Sequence, residues 1–169
     1  MIVMHSPATR RHEDLFRFLF LILGQYLSMR GGARLLGSRY PMRLDPKWSP
    51  EPDLMVVLDE NRHRFTEQRL EGPADLVVEI VSAHDAHLIY KEKLPEYVAA
   101  GIPEIWIVDP PRGEVLVDRA AGGARESRAA RAGRLASCVV PGFWIDAGWL
   151  FRAELPPAHE CLEAILRGD

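Results

Sequence analysis

Asp75-Leu76-Val77-Val78-Glu79-Ile80-Val81-Ser82 is the stretch on which the fold turns. It is short, apolar and rich in β-branched residues, with Gly72-Pro73 before it and Ser82 closing it. That pattern predicts a strand buried on both faces. Glu79 lies inside it. A carboxylate among valines is costly unless a cation, a metal or hydrogen-bond donors compensate it. The plainer alternative is a solvated edge, or a structural arginine paired with Glu79, since structural ion pairs also perturb carboxylates.

Two neighbours bear on that choice. Asp53 opens a second apolar run, Leu54-Met55-Val56-Val57-Leu58, and Lys93 follows Glu79 on an expected helix. Two strand carboxylates and a lysine suit magnesium-assisted chemistry on a phosphodiester. Each has a blander reading: Asp53 as a Pro-Asp turn at a strand start, Lys93 as a surface helix lysine.

The rest of the chain supplies the frame. Residues 1–7 read as a strand end or a frayed terminus. Ala8 to Met29 is helical, with Leu15, Phe18, Leu19, Ile22, Leu23 and Tyr26 at three- and four-residue steps and Gly31-Gly32 as the stop. Ala33 to Leu44 reads as a strand or bent hairpin, Trp48 to Pro52 as a turn, and 59–74 as a surface loop. His84 to Ala100 is expected to be a helix capped by Gly101, with a kink or entry turn at Pro95. Glu104 to Asp109 and Glu114 to Arg119 form a predicted hairpin. The Ala/Gly/Arg-rich stretch 120–134 reads as a poorly ordered turn, Leu135 to Val140 as a short strand, Phe143 to Phe151 as a loop with a helical turn, and Glu160 to Leu166 as a terminal helix.

Composition sets the bounds. The chain has 169 residues, 47% hydrophobic and 27% charged, which suits one globular domain. Its longest apolar stretch, Leu15 to Leu27, is interrupted by Arg17, Gly24 and Gln25 and is too short for a membrane span. No signal peptide is evident, and Cys138 and Cys161 have no metal-ligand spacing, so a reduced cytoplasmic setting is expected. A net charge of −3 argues against coating nucleic acid by charge alone. The distribution is uneven: +5 over residues 1–47, −9 over 48–118, +4 over 119–134 and −3 over 135–169. An acidic middle between basic segments suits a cation site with phosphate-binding flanks.

Other features read as structural. His84 and His87 are expected to be solvated loop residues, and Tyr97 and Trp106 core aromatics. Ser82 has no nucleophile-elbow pattern around it. Arg125, Arg128, Arg131 and Arg134 read as an exposed loop.

The order of elements, with Pro52-Asp53, Asp75 to Ser82, Glu92-Lys93-Leu94 with Tyr97, Ala100-Gly101-Ile102-Pro103-Glu104-Ile105-Trp106-Ile107-Val108-Asp109-Pro110, and Val140-Pro141-Gly142-Phe143, resembles the Uma family of endonucleases. That family is a bacterial branch of the restriction-endonuclease-like PD-(D/E)XK superfamily. The resemblance implies an α/β fold, a central mixed β-sheet flanked by helices, as a single restriction-endonuclease-like domain over residues 1–169. It implies Mg²⁺ or Mn²⁺ held by Asp53, Glu79 and the main-chain carbonyl of Ile80, with Lys93 as the catalytic lysine and DNA as the substrate. The superfamily lysine two residues after the glutamate is replaced here by Val81. Lys93 on the following helix takes its place, with Lys91 as the weaker candidate. Four residues before Lys93, where members often carry Asp, stands Ile89. The chain also starts where an acidic segment of many members would be ending, leaving Glu13 as a loose substitute for a further glutamate. The resemblance thus implies an endonuclease, and its departures leave an inactive nuclease-fold module for nucleic-acid binding or interaction as the alternative. A homodimer suits the cutting of both strands of a duplex.

Overall fold

In the computed structural model, which describes residues 8–37 and 39–169, the buried strand sits near the middle of a six-stranded sheet. The reading of residues 1–7 lies outside the described residues. The strands are β1 (Ala33–Gly37), β2 (Met42–Arg43), β3 (Leu54–Leu58), β4 (Leu70–Glu71), β5 (Leu76–Ile80), β6 (Glu104–Asp109), β7 (Glu114–Ala121), β8 (Ala124–Ala130), β9 (Arg134–Ala136) and β10 (Trp144–Asp146). The large sheet runs β1-β3-β5-β6-β7-β8, and β9-β10 and β2-β4 form small pairs beside it. Only β5 and β6 pair in parallel within the large sheet. A parallel pair needs a crossover. Here it is a helical segment, a π-helical turn over Leu88–Lys93 running into α2 (Leu94–Ala99).

Alternation along the strands builds a core on each face. Leu54, Val56, Leu76, Val78, Ile80, Trp106 and Val108 point to one side. There they meet α1 (Arg10–Arg30) through Leu15, Phe18, Leu19, Ile22 and Tyr26, and α3 (Ala158–Arg167) through Cys161, Leu162 and Ile165. Met55, Val57, Val77, Val81, Ile105 and Ile107 point to the other side, against Ile89, Tyr97 and Ile102. Helix α1 starts at Thr9, whose hydroxyl accepts the N–H of His12 at 3.1 Å, and stops at Gly31, which takes φ 72°.

Several expectations need correction. Residues 59–74 are not simply a loop: Asp59–Arg64 is a 3₁₀ turn, and Leu70 of β4 is fully buried. Residues 120–134 are not a poorly ordered turn. Gly122 and Gly123 take φ of 55° and 86°, the pair of positive values that a tight hairpin requires, and β8 then pairs with β7 along its whole length. Low β-propensity hid β8, because pairing with β7 and the glycine turn decide its conformation. The stretch from 143 to 151 holds β10 and a 3₁₀ turn over Ala147–Phe151. The helix expected over His84 to Ala100 begins at Ala86, runs as a π-helical turn over Leu88–Lys93 and becomes α-helical again at Leu94. Leu94 N–H reaches back to Ile89 O. Pro95 has no N–H for the carbonyl four residues back and its ring crowds that carbonyl, which favours the looser turn ahead of it.

Candidate active site

Asp53 and Glu79 are brought together by strand register. Leu54 faces Val78, Met55 faces Val77 and Val56 faces Leu76 across β3 and β5. One further step outward sets Asp53 opposite Glu79 on the face of the second core. Asp53 lies just beyond the end of β3, and its Oδ2 accepts the N–H of Ile80 at 2.7 Å, replacing the ladder bond that the strand no longer supplies.

The carbonyl of Ile80 has a distinct origin. Val81 N–H donates to Val108 O, toward β6, so Ile80 presents its backbone groups to the β3 side. By the same register Ile80 faces Pro52, which has no N–H to give. The Pro-Asp pair therefore does two things at once: Asp53 takes the N–H of Ile80, and Pro52 leaves its C=O without a ladder donor.

Glu79 is buried, at 2% exposure, so the solvated-edge alternative fails. Its partners come from the helical segment. Lys93 Nζ lies 2.9 Å from Oε1, and the hydroxyl of Tyr97 donates to the same oxygen at 2.6 Å. Lys93 and Tyr97 are four residues apart and share a helix face. Trp48 packs at 5.7 Å against the Tyr97 ring from the other side. Burial raises the Glu79 carboxyl to about 7, helped by the charge of Asp53 and opposed by Lys93 and Tyr97. Burial disfavours the charged form of Lys93, but Glu79, Asp53 and Asp85 outweigh it and raise its pKa. The two upward shifts are compatible: Lys93 keeps its proton throughout, and Glu79 changes charge near neutrality.

Sequence reasoning missed two of the side chains that complete this group. Tyr97 was expected in the core, where its ring does lie, but its hydroxyl holds Glu79. His12 extends the buried stripe of α1 back by three residues from Leu15, and a polar residue at an apolar-face position was the available signal. Its Nε2 lies 3.2 Å from Oδ1 and 3.3 Å from Oδ2 of Asp53. The hydrogen bond to Asp53 leads the causes that raise its pKa, over the opposing effect of burial. Its Nδ1 is buried, with Glu13 Oε1 at 3.5 Å but outside hydrogen-bond geometry. Glu13 thus reaches His12 rather than the carboxylate pair, and its side chain is 62% exposed.

The remaining candidates stay apart from the pair. Ile89 is buried in the second core, and Lys91, His84 and His87 are exposed. Arg125 binds Asp118 at 2.6 Å and the Ile102 carbonyl at 2.9 Å, Arg131 lies 3.6 Å from Glu114, and Arg134 stacks 3.8 Å over Trp144. Glu104, a second fully buried carboxylate, accepts from Trp106 Nε1, Ser137 Oγ and the N–H groups of Cys138 and Val139, at 2.7 to 3.1 Å. It ties the 137–139 loop to the sheet.

Among the described residues no group of three His, Cys, Asp or Glu side chains is arranged to hold a metal ion. An all-protein cage is therefore not built here. Magnesium needs none: it keeps several waters and takes one or two carboxylates with a phosphate. Asp53, Glu79 and the carbonyl of Ile80, which has no ladder donor among the described residues, form an all-oxygen set that fits such an ion.

No curated protein matches this chain. Among solved structures it is similar to one described as "a putative nuclease belonging to DUF820" from Anabaena variabilis ATCC 29413, at 14% identity and a TM-score of 0.65, over 98% of this chain and 87% of that one. That likeness is one of fold. No helix among the described residues is long and apolar enough to cross a membrane. The model of the Uma2 family, described as "Putative restriction endonuclease", matches residues 1–148, and the chain belongs to that family.

Proposed function

We propose that this protein is a metal-dependent endonuclease that hydrolyses phosphodiester bonds of DNA. The observation that carries the reading is Asp53 and Glu79 facing each other across β3 and β5, with Lys93 Nζ held 2.9 Å from Glu79. Asp53, Glu79 and the Ile80 carbonyl would hold Mg²⁺ or Mn²⁺. When bound, such an ion polarises a phosphoryl oxygen and lowers the pKa of a water.

The protein's own groups set up the rest. Lys93, protonated among three carboxylates, supplies a fixed positive charge beside the site where negative charge develops on a phosphate. Tyr97 and Lys93 both hold Oε1 of Glu79, which fixes the carboxylate's orientation. Ile80 N–H and His12 do the same for Asp53. Preorganised carboxylates avoid the cost of reorienting during reaction. A two-fold dimer suits a substrate with two strands.

The test is nicking of plasmid and single-stranded DNA with Mg²⁺, Mn²⁺ or EDTA, wild type beside Glu79→Ala. Cutting that needs both the metal and Glu79 supports the enzyme. The second reading, a nuclease-fold module that binds or interacts without cutting, is favoured because no three His, Cys, Asp or Glu side chains among the described residues are grouped to hold a metal ion. Mn²⁺ binding without cutting of either substrate would select it.

A further inference from the structure

The large sheet ends in a long uncovered strand. β8 is its last strand, and residues 126–129 are exposed. Ala121 and Ala124 flank the two-residue turn and start the ladder, so the even-numbered residues of β8 bond to β7. Arg125, Ser127 and Ala129 then turn their N–H and C=O groups outward. Among the described residues no backbone group outside the ladder reaches that edge. An edge of this length is a template for another strand.

We propose that the outer edge of β8 is the contact surface for a second copy of this chain, the two β8 strands pairing antiparallel about a two-fold axis through Ser127. The sequence Ala124-Arg125-Glu126-Ser127-Arg128-Ala129-Ala130 is complementary to itself in this register. Arg125 faces Ala129 of the second copy and Ser127 faces Ser127, so every outward N–H and C=O of these residues finds a partner. Glu126 faces Arg128 of the second copy on both sides of the axis. These are non-hydrogen-bonded positions, where opposed side chains approach most closely.

Alternative registers fail on charge. A slip of two residues sets Glu126 against Glu126 or Arg128 against Arg128, and like charges directly opposed are destabilising. A slip of one residue turns bonded edges away from each other. Charges on an edge usually deter pairing. Here they permit one register. Arg128 is also available, since it makes no hydrogen bond or ion pair among the described residues, whereas Arg119 already lies 2.9 Å from Glu126 within the chain and would extend the pair into a network. The ends of β8 are alanines, which let two backbones approach without obstruction.

This inference deepens the dimer of the proposed function and does not depend on the cutting chemistry, so an inactive protein tests it equally. The measurement is sedimentation equilibrium on the full chain at tens of micromolar, with Arg128→Glu and Glu126→Arg separately and then mixed. The wild type is expected to be a dimer. Each variant alone sets like charges opposite one another and weakens association about tenfold or more. The equimolar mixture restores the dimer, because both cross-strand pairs become Glu opposite Arg. That recovery also shows that the variants fold. A monomeric wild type, single variants that associate as the wild type does, or a mixture that stays dissociated would overturn the proposal.

Discussion

The hydroxyl of Tyr97 donates to Oε1 of Glu79 at 2.6 Å, and this oxygen also receives Lys93 at 2.9 Å. One buried carboxylate is thus held through a single oxygen by a neutral donor and a cation from the same helix face. Glu104 offers the contrast: both of its oxygens are engaged, by four donors of the protein. The first carboxylate is anchored through one oxygen, and the second is a strut.

Glu79→Gln is expected to abolish metal-dependent cutting and to stabilise the fold at alkaline pH. Burial pushes the native carboxyl up to about 7, above its ordinary value of 4.5. A native pKa raised in this way means the folded state binds the proton more tightly, so stability falls as pH rises from about 4.5 through about 7. The full difference is at most about 3 kcal/mol. Urea denaturation at pH 4 and pH 8 checks this: the variant gains on the wild type at pH 8 and shows little difference at pH 4. A variant that unfolds at both would make Glu79 a structural partner and end its role as a ligand.

Lys93→Met keeps the stem and removes the charge. Cutting should fall about a hundredfold or more, in the range that one electrostatic donor supplies. Loss of the lysine removes the main influence lowering the Glu79 pKa, so Mn²⁺ binding should need a higher pH than in the wild type. Calorimetric titration with Mn²⁺ at pH 6.5 and pH 8.5 measures the shift.

His12→Phe removes the imidazole from Asp53. The raised pKa of His12 contributes stability that is fully present below its ordinary value of 6.5 and is lost as pH rises through the native value. The wild type should therefore lose more stability across that window than the variant, in which only the Glu79 contribution remains. The His12 ring resonance in a proton NMR titration should show a midpoint above 6.5 in the wild type.

Glu104→Gln serves as the control. An amide cannot accept four donors as a carboxylate does, and its own NH₂ meets N–H groups, so a loss of about 2–4 kcal/mol is expected. Per unit of folded protein, cutting should remain at the wild-type rate. A loss of cutting in the folded fraction would tie the 137–139 loop to the site.

The sequence by itself determined the helix over α1, the fully buried β5, the hairpin of β6 and β7, and the candidacy of Asp53, Glu79 and Lys93. Each rests on local pattern: hydrophobic period, turn residues, and a charge where apolar residues belong. What joins those candidates is not local. Asp53 meets Glu79, 26 residues further along the chain, through the register of two strands, and Pro52 matters because of the residue it faces rather than the residues beside it. His12 joins the site because α1 packs across the end of β3, a contact no window of sequence contains. Tyr97 looks like any core aromatic until the helix phase, set by a π-helical turn ahead of Pro95, aims its hydroxyl at a carboxylate. The strand β8 was illegible for the same reason in reverse. Its alanines and arginines carry little preference of their own, and pairing with β7 supplies what propensity lacks. Local chemistry names the groups, and long-range packing decides which of them meet.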